Sequence, residues 1–217
     1  MFYNESWRCV AIRLAQAVES IRQEAKPLVE ERFKQFKELG ENGSEEQLYS
    51  ELCFCILTAN WSASGGMKAQ ELIGDGFITM SEEELTEMLT KLHHRYPKAR
   101  ASYIVRNRWV LGRLRPLLSL DAMQAREWLV KNVVGIGYKE ASHFLRNVGI
   151  EELAILDRHV LSLMLEYGLI DSLPSSLTKQ RYLRLESLLK QEAEVFGETL
   201  GKFDLYLWYF VKRTVEK

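Results

Sequence analysis

Apolar residues recur at spacings of three and four along most of the chain, the period of a helix with one buried face. Val10, Leu14, Ala17, Val18 and Ile21 mark such a stripe, and Val29, Phe33 and Phe36 continue it past Pro27. The proline ring is expected to kink or split this stretch, 7–39. Glu41-Asn42-Gly43-Ser44 reads as a loop, and Ser44 with Gln47 has capping-box spacing for a helix over 45–58. Ser62-Ala63-Ser64-Gly65-Gly66 breaks the pattern before another helix, and Ser81 with Glu84 forms a second capping box. Pro97 suits the first turn of a helix running to about Arg115, and Asp121 caps one over 122–132. A helix over roughly 138–147 stops at Gly149; Asp157 caps another that reaches Tyr167 and ends at Gly168. Two more fill 176–195 and 199–215. Strand-like alternation is almost absent. About ten helices joined by short gaps predict an all-α fold.

Composition adds limits. The 217 residues, 47% hydrophobic and 27% charged, suffice for a sizeable core without staples. No apolar run reaches the roughly 18 to 20 residues of a membrane span, so no membrane is expected as a partner. MFYNESWRCV lacks the charged-then-apolar order of a secretory signal. Cys9, Cys53 and Cys55 are too few for a disulfide framework and lack zinc spacing, which predicts reduced structural thiols, no metal and a cytoplasmic setting. The net charge of −1 says nothing of nucleic acid, but residues 91–120 carry eight lysines and arginines and no acid. Arg106 and Arg108 lie in that stretch. It is either a face for phosphate or a solvated helix paired elsewhere.

The densest chemistry is in VVGIGYKEAS, 133–142. Gly135 and Gly137 flank Ile136 in a turn between two helices; glycines there permit positive φ and close backbone approach. Amides at the start of the second helix can hold a phosphate without reading sequence. A plain helix–helix turn would look the same. Lys139 falls in the first turn of that helix, where the dipole disfavours an ammonium. Bringing such an amine from about 10.4 towards 7 or 8 takes about 3 to 4 kcal/mol from its surroundings and makes it a nucleophile. Eighteen residues later, Asp157 in AILDRHV supplies a carboxylate able to stabilise a cationic transition state as well as cap a helix.

VGIGYKEASHFLRNVG followed by ILDRHV resembles the helix-hairpin-helix, loop and aspartate signature of the base-excision DNA glycosylases, and ILTANWSASGGMKA resembles their early helix and turn. The likeness covers about residues 45–217 and is strongest to the short, second-type 8-oxoguanine DNA glycosylases. Val134 stands where many relatives carry proline. The resemblance implies a single unit over 1–217 with two helical subdomains and a cleft between them. The subdomains are expected at 60–160, containing the hairpin, and at 1–59 plus 161–217. It implies a monomer without cofactor acting on double-stranded DNA that contains 8-oxoguanine, a flipped-out nucleotide, Lys139 as nucleophile and lyase, and Asp157 as its acidic partner. By the same match Gly135, Gly137 and His159 hold DNA phosphate, and Asn60 fills the gap left by the flipped base.

The last helix carries Phe203, Tyr206, Leu207 and Phe210 as a core stripe, with Trp208 off it. The resemblance implies that Trp208 stacks on the purine and Lys217 reaches the base pocket; Tyr96 is a further stacking candidate. 8-Oxoguanine has a donor at N7 where guanine has an acceptor, so an acceptor facing N7 is the simplest discriminator, and a carboxylate at Lys217 is one candidate. An oxidised-pyrimidine glycosylase is the alternative, although no cysteine follows Cys55 to build the iron–sulfur cluster common among those relatives. A hairpin module that only binds DNA is the other alternative.

Overall fold

The computed structural model describes residues 13–217. The predicted start of the first helix, Val10 within it, and Cys9 lie outside those residues. Helices α1 (Leu14–Glu19) and α2 (Arg22–Asn42) are separated at Ser20 and Ile21, so the break comes before Pro27. Pro27 sits inside a continuous α2. Burial of Ala25, Val29, Phe33 and Phe36 along one face offsets the hydrogen bond that the proline cannot make. Helix α3 (Glu45–Thr58) begins with the expected reciprocal cap: Gln47 N–H donates to Ser44 Oγ and Ser44 N–H to Gln47 Oε1. Helices α4 (Ala63–Ile73), α5 (Gly76–Thr79) and α6 (Glu82–Lys91) follow, the last opened by the Ser81–Glu84 box.

Helix α7 (Pro97–Asn107) is shorter than its pattern predicts. Asn107 is fully buried and its amide is drawn away to the hairpin. A 3-10 turn at 108–110 and left-handed Gly112 (φ 79°) then redirect the chain into α8 (Leu114–Leu117). Helices α9 (Ala122–Asn132), α10 (Tyr138–Asn147), α11 (Arg158–Glu166), α12 (Lys179–Phe196) and α13 (Leu200–Lys212) complete the fold. Asp121 and Asp157 cap α9 and α11 as the sequence predicts. Helix α13 ends three residues early because Arg213 turns left-handed (φ 59°). No strand occurs among the described residues.

The apolar interior falls into two cores. One is built from residues between Leu48 and Leu153, the other from Leu14–Phe36 together with Ala154–Tyr209. The chain therefore changes core at 153/154, and α3 lies in the first core, packed mainly against α4 and α10 with a smaller contact to α2. Helix α3 goes there because ten of its residues, reaching from Leu48 to Thr58, are buried almost all round its axis, and α4 and α10 cover it. Buried ion pairs stitch the cores together. Arg126, wholly inside, donates from both terminal nitrogens to Glu186 at 2.6 and 2.8 Å, and Glu186 also accepts the Ala154 N–H at 2.9 Å. Cys53 and Cys55 are buried free thiols, pushed well up by desolvation. No described helix is long and apolar enough to cross a membrane.

Candidate active site

The turn between α9 and α10 is held from below. Asn107 donates its amide to the Val134 carbonyl at 2.8 Å and accepts the Val134 N–H at 2.9 Å, copying one rung of a ladder. Ile136 tucks into the first core. Gly135 has φ 82°, and an added Cβ would lie 2.4 Å from the Tyr103 ring, so both backbone and space require glycine there. Gly137 differs: its φ of −104° suits any residue, and a Cβ would meet only the Glu140 carboxylate, at 3.2 Å. That same carboxylate accepts the Gly137 N–H at 3.2 Å, so an acidic side chain of the protein itself sits at the leading end of α10.

Lys139, the second residue of α10, faces a cleft of about 1320 Å³ with its side chain only 22% exposed. Its ammonium lies 3.8 Å from Glu140 Oε1, the outer limit of an ion pair. Asp157 lines the same cleft from the start of α11, where Oδ1 accepts the Val160 N–H at 2.8 Å. The extended segment leading to Asp157 is fixed by Tyr182, whose hydroxyl donates to Ala154 O at 2.7 Å and accepts the Leu156 N–H at 3.3 Å. Two helix beginnings thus present an amine and a carboxylate to one space.

The floor of the cleft is more charged than the sequence suggests. His143 follows Lys139 by one helical turn; burial and the positive charges of Arg146, Lys139 and Lys217 push its pKa well below the ordinary value, leaving a neutral imidazole. Arg146, buried on α10, donates to Asp204 of α13 at 3.1 Å. Burial nevertheless pushes the Asp204 carboxyl up to about 6; Arg146 opposes this and the charge of Asp157 adds to it. Lys217 curls back after α13 and donates at 2.6 Å to Glu51, which is buried on α3. None of His143, Arg146, Asp204 or Glu51 stood out from sequence. Their one signal is polarity at positions where helix periodicity calls for an apolar residue.

Other expected site residues divide clearly. Trp208, His159, Asn60 and Lys217 all line the cleft. Trp208 meets the His159 ring edge to face at 5.6 Å and keeps a buried Nε1 without a hydrogen-bond partner. Asn60 adopts left-handed φ 69° just past the end of α3, on a turn strapped by Arg100 and His94, which bond to the carbonyls of Ala59 and Leu57. Tyr96 stands outside: it is 43% exposed and does not line the cleft, because its backbone N–H is tied to His94. Arg108 bonds the carbonyls of Phe77 and Met80, so its guanidinium closes the end of α5 instead of facing solvent. Arg106 is exposed. No metal-binding cluster occurs among the described residues. Amines, carboxylates, a neutral imidazole and an indole around one cleft suit attack on an electrophilic carbon beside a flat ring.

Comparisons with known proteins converge. Residues 29–198 match the family described as 8-oxoguanine DNA glycosylase, Ogg-HhH. The 8-oxoguanine DNA glycosylase/AP lyase of Thermotoga maritima is 58% identical over 204 residues, 94% of this chain and 99% of the relative. The crystal structure of the Thermotoga maritima 8-oxoguanine DNA glycosylase superposes with a TM-score of 0.92 at 58% identity, covering 94% of this chain and 98% of that one. The Methanocaldococcus jannaschii glycosylase/lyase, solved in complex with a 15mer DNA containing 8-oxoguanine, gives a TM-score of 0.91 at 43% identity, with 94% and 99% covered.

Proposed function

The chain belongs to the 8-oxoguanine DNA glycosylase family, and from that premise we propose how its own residues divide the work. The protein is a bifunctional base-excision repair enzyme: it removes 8-oxoguanine from DNA and cleaves the strand at the resulting abasic site. Lys139 is the nucleophile. Its amine attacks C1′ of the flipped nucleotide, the glycosidic bond breaks, and the departing base carries the bonding electrons and takes up a proton. Ring opening leaves an iminium on Lys139, which acidifies the C2′ hydrogen so that the 3′ phosphate leaves by β-elimination.

Asp157 stabilises the positive charge that develops on the sugar. Its capping bond to Val160 fixes one oxygen, and the carboxylate is thereby aimed before substrate arrives. The observation that carries this division of roles is the shared cleft: Lys139 and Asp157 begin separate helices and both line it, and Trp208 lines it as well. Trp208 stacks on the extruded purine, Lys217 borders the base pocket, and the Gly135–Gly137 turn and His159 receive phosphate. Asn60, exposed at its turn, enters the duplex where the nucleotide left. Arg106 adds a charge contact with the backbone. Every one of these side chains comes from one chain, so a monomer suffices, and an enzyme of DNA works in the cytoplasm beside the nucleoid.

The test is a nicking assay on duplexes bearing 8-oxoguanine, thymine glycol or uracil, with and without borohydride. The 8-oxoguanine duplex alone should be cut efficiently, and borohydride should trap a covalent adduct that Lys139→Gln abolishes. An adduct surviving that substitution would move the nucleophile elsewhere.

A further inference from the structure

Glu51 is a carboxylate with no direct role in the chemistry above. It sits on α3 in the first core, 3% exposed, behind the wall of the cleft. Three side chains converge on it. Asn147 of α10 donates to Oε1 at 2.6 Å, Gln70 of α4 approaches Oε2 at 3.3 Å, and Lys217 donates to Oε2 at 2.6 Å. Lys217 is its one cation within ion-pair distance among the described residues. The lysine belongs to the segment that leaves α13, which packs in the other core. Its side chain crosses to reach Glu51, is 19% exposed, and places its ammonium 4.7 Å from the centre of the Phe54 ring.

The pairing has a consequence for the backbone. After left-handed Arg213 the chain reverses, and Thr214, Glu216 and Lys217 line the cleft, with the Lys217 backbone beside His143. Thr214 is exposed and residues 215–217 are only half-buried; Val215 packs on the second core and the Lys217 backbone bonds at His143, while the one ion pair of the segment is the one to Glu51. A buried carboxylate strongly retains a cation, since leaving either charge alone in the interior is unfavourable. The Glu51–Lys217 bond is therefore the tether that fixes where the segment's polar groups stand along the wall.

We propose that Glu51 is a positioning residue for base selection: by anchoring Lys217 it sets the wall against which the extruded base is read. This rests on the reading of the cleft as the 8-oxoguanine pocket. Glu51 touches neither base nor sugar and acts through Lys217 alone. Glu51→Gln keeps the shape and the bond from Asn147 while removing the attraction for the ammonium.

The experiment measures two activities of the full chain: excision from 8-oxoguanine duplex, and cleavage of a preformed abasic site, which needs no base recognition. Glu51→Gln should lower kcat/KM for excision by about tenfold to a hundredfold, as displacement of a positioning group does. It should narrow the preference for 8-oxoguanine over guanine and leave abasic-site cleavage within about twofold. Lys217→Met should lower excision similarly, and the double variant should be no worse than the poorer single one. Equal loss of both activities in Glu51→Gln, unchanged excision, or losses that multiply in the double variant would each overturn the proposal. Lys217→Met, made with Glu51 intact, and circular dichroism of each variant guard against a folding artefact. Persisting excision by Lys139→Gln would sink the reading of the cleft itself; a normal Glu51→Gln beside an inactive Lys139→Gln sinks only the tether.

Discussion

The hairpin wall of the cleft and the tail wall, built by α13 and the segment after it, are held by different physics. The hairpin depends on backbone: a left-handed glycine, an asparagine that mimics a ladder rung, and capping bonds spanning three residues. The tail depends on buried charge joined over long separations, with Lys217 reaching Glu51 across 166 positions and Arg146 reaching Asp204 across 58. The left-handed glycine and the asparagine rung hold their geometry without any charge, and only the Glu140 cap at Gly137 uses a carboxylate. Buried pairs fix it only while both partners keep their charge, which makes the tail wall the more conditional of the two.

The comparison can be broken most forcefully at Asn107. Asn107→Ala removes a fully buried side chain and leaves a partly buried N–H and carbonyl at Val134 without their partner, so a loss of about 2 to 4 kcal/mol in urea unfolding is expected. A loss near zero would mean the turn is held by packing alone. The tail wall is probed through Asp204. Folding raises its carboxyl from 3.8 to about 6, so in that interval the native state keeps a proton the unfolded chain has released. Stability must then fall as pH rises from about 4 to 6, by about 2 to 3 kcal/mol. Asp204→Asn should flatten that slope in melts at pH 4.5 and 7; an unchanged slope would place the titration elsewhere. Smaller still is the contrast within the hairpin. Gly135→Ala should lose about 2 kcal/mol from φ and from contact with Tyr103, whereas Gly137→Ala should lose less than about 1, because only the mobile end of Glu140 need shift. Equal losses would show that the two glycines serve one purpose.

The same divide explains what could be read in advance. The caps at Ser44, Ser81, Asp121 and Asp157 and the hairpin with Lys139 rest on neighbours within four residues, and a linear pattern carries such information. The end of α7 was not legible, since Asn107 is drawn off by Val134, 27 residues ahead. Nor was the break before Pro27, where burial of one face outweighs local preference. Arg108 read as part of a basic run, yet carbonyls of Phe77 and Met80 claim it. Tyr96 had the right chemistry and the wrong direction. The charged floor was hidden for the same reason: beyond their polarity at inward positions, Glu51, Arg146 and Asp204 show no sign of burial until the partner helix is in place. The family likeness supplied Trp208, His159 and Asn60, which no periodicity would have singled out.

Asp157 meets two demands with its two oxygens, one occupied by the Val160 N–H and the other left to the cleft. An asparagine in its place would still accept the capping bond, since the amide oxygen sits where Oδ1 does, but it would carry no charge. Under the role proposed for Asp157, a single oxygen-for-nitrogen exchange would leave the start of α11 intact and remove the charge offered to the sugar.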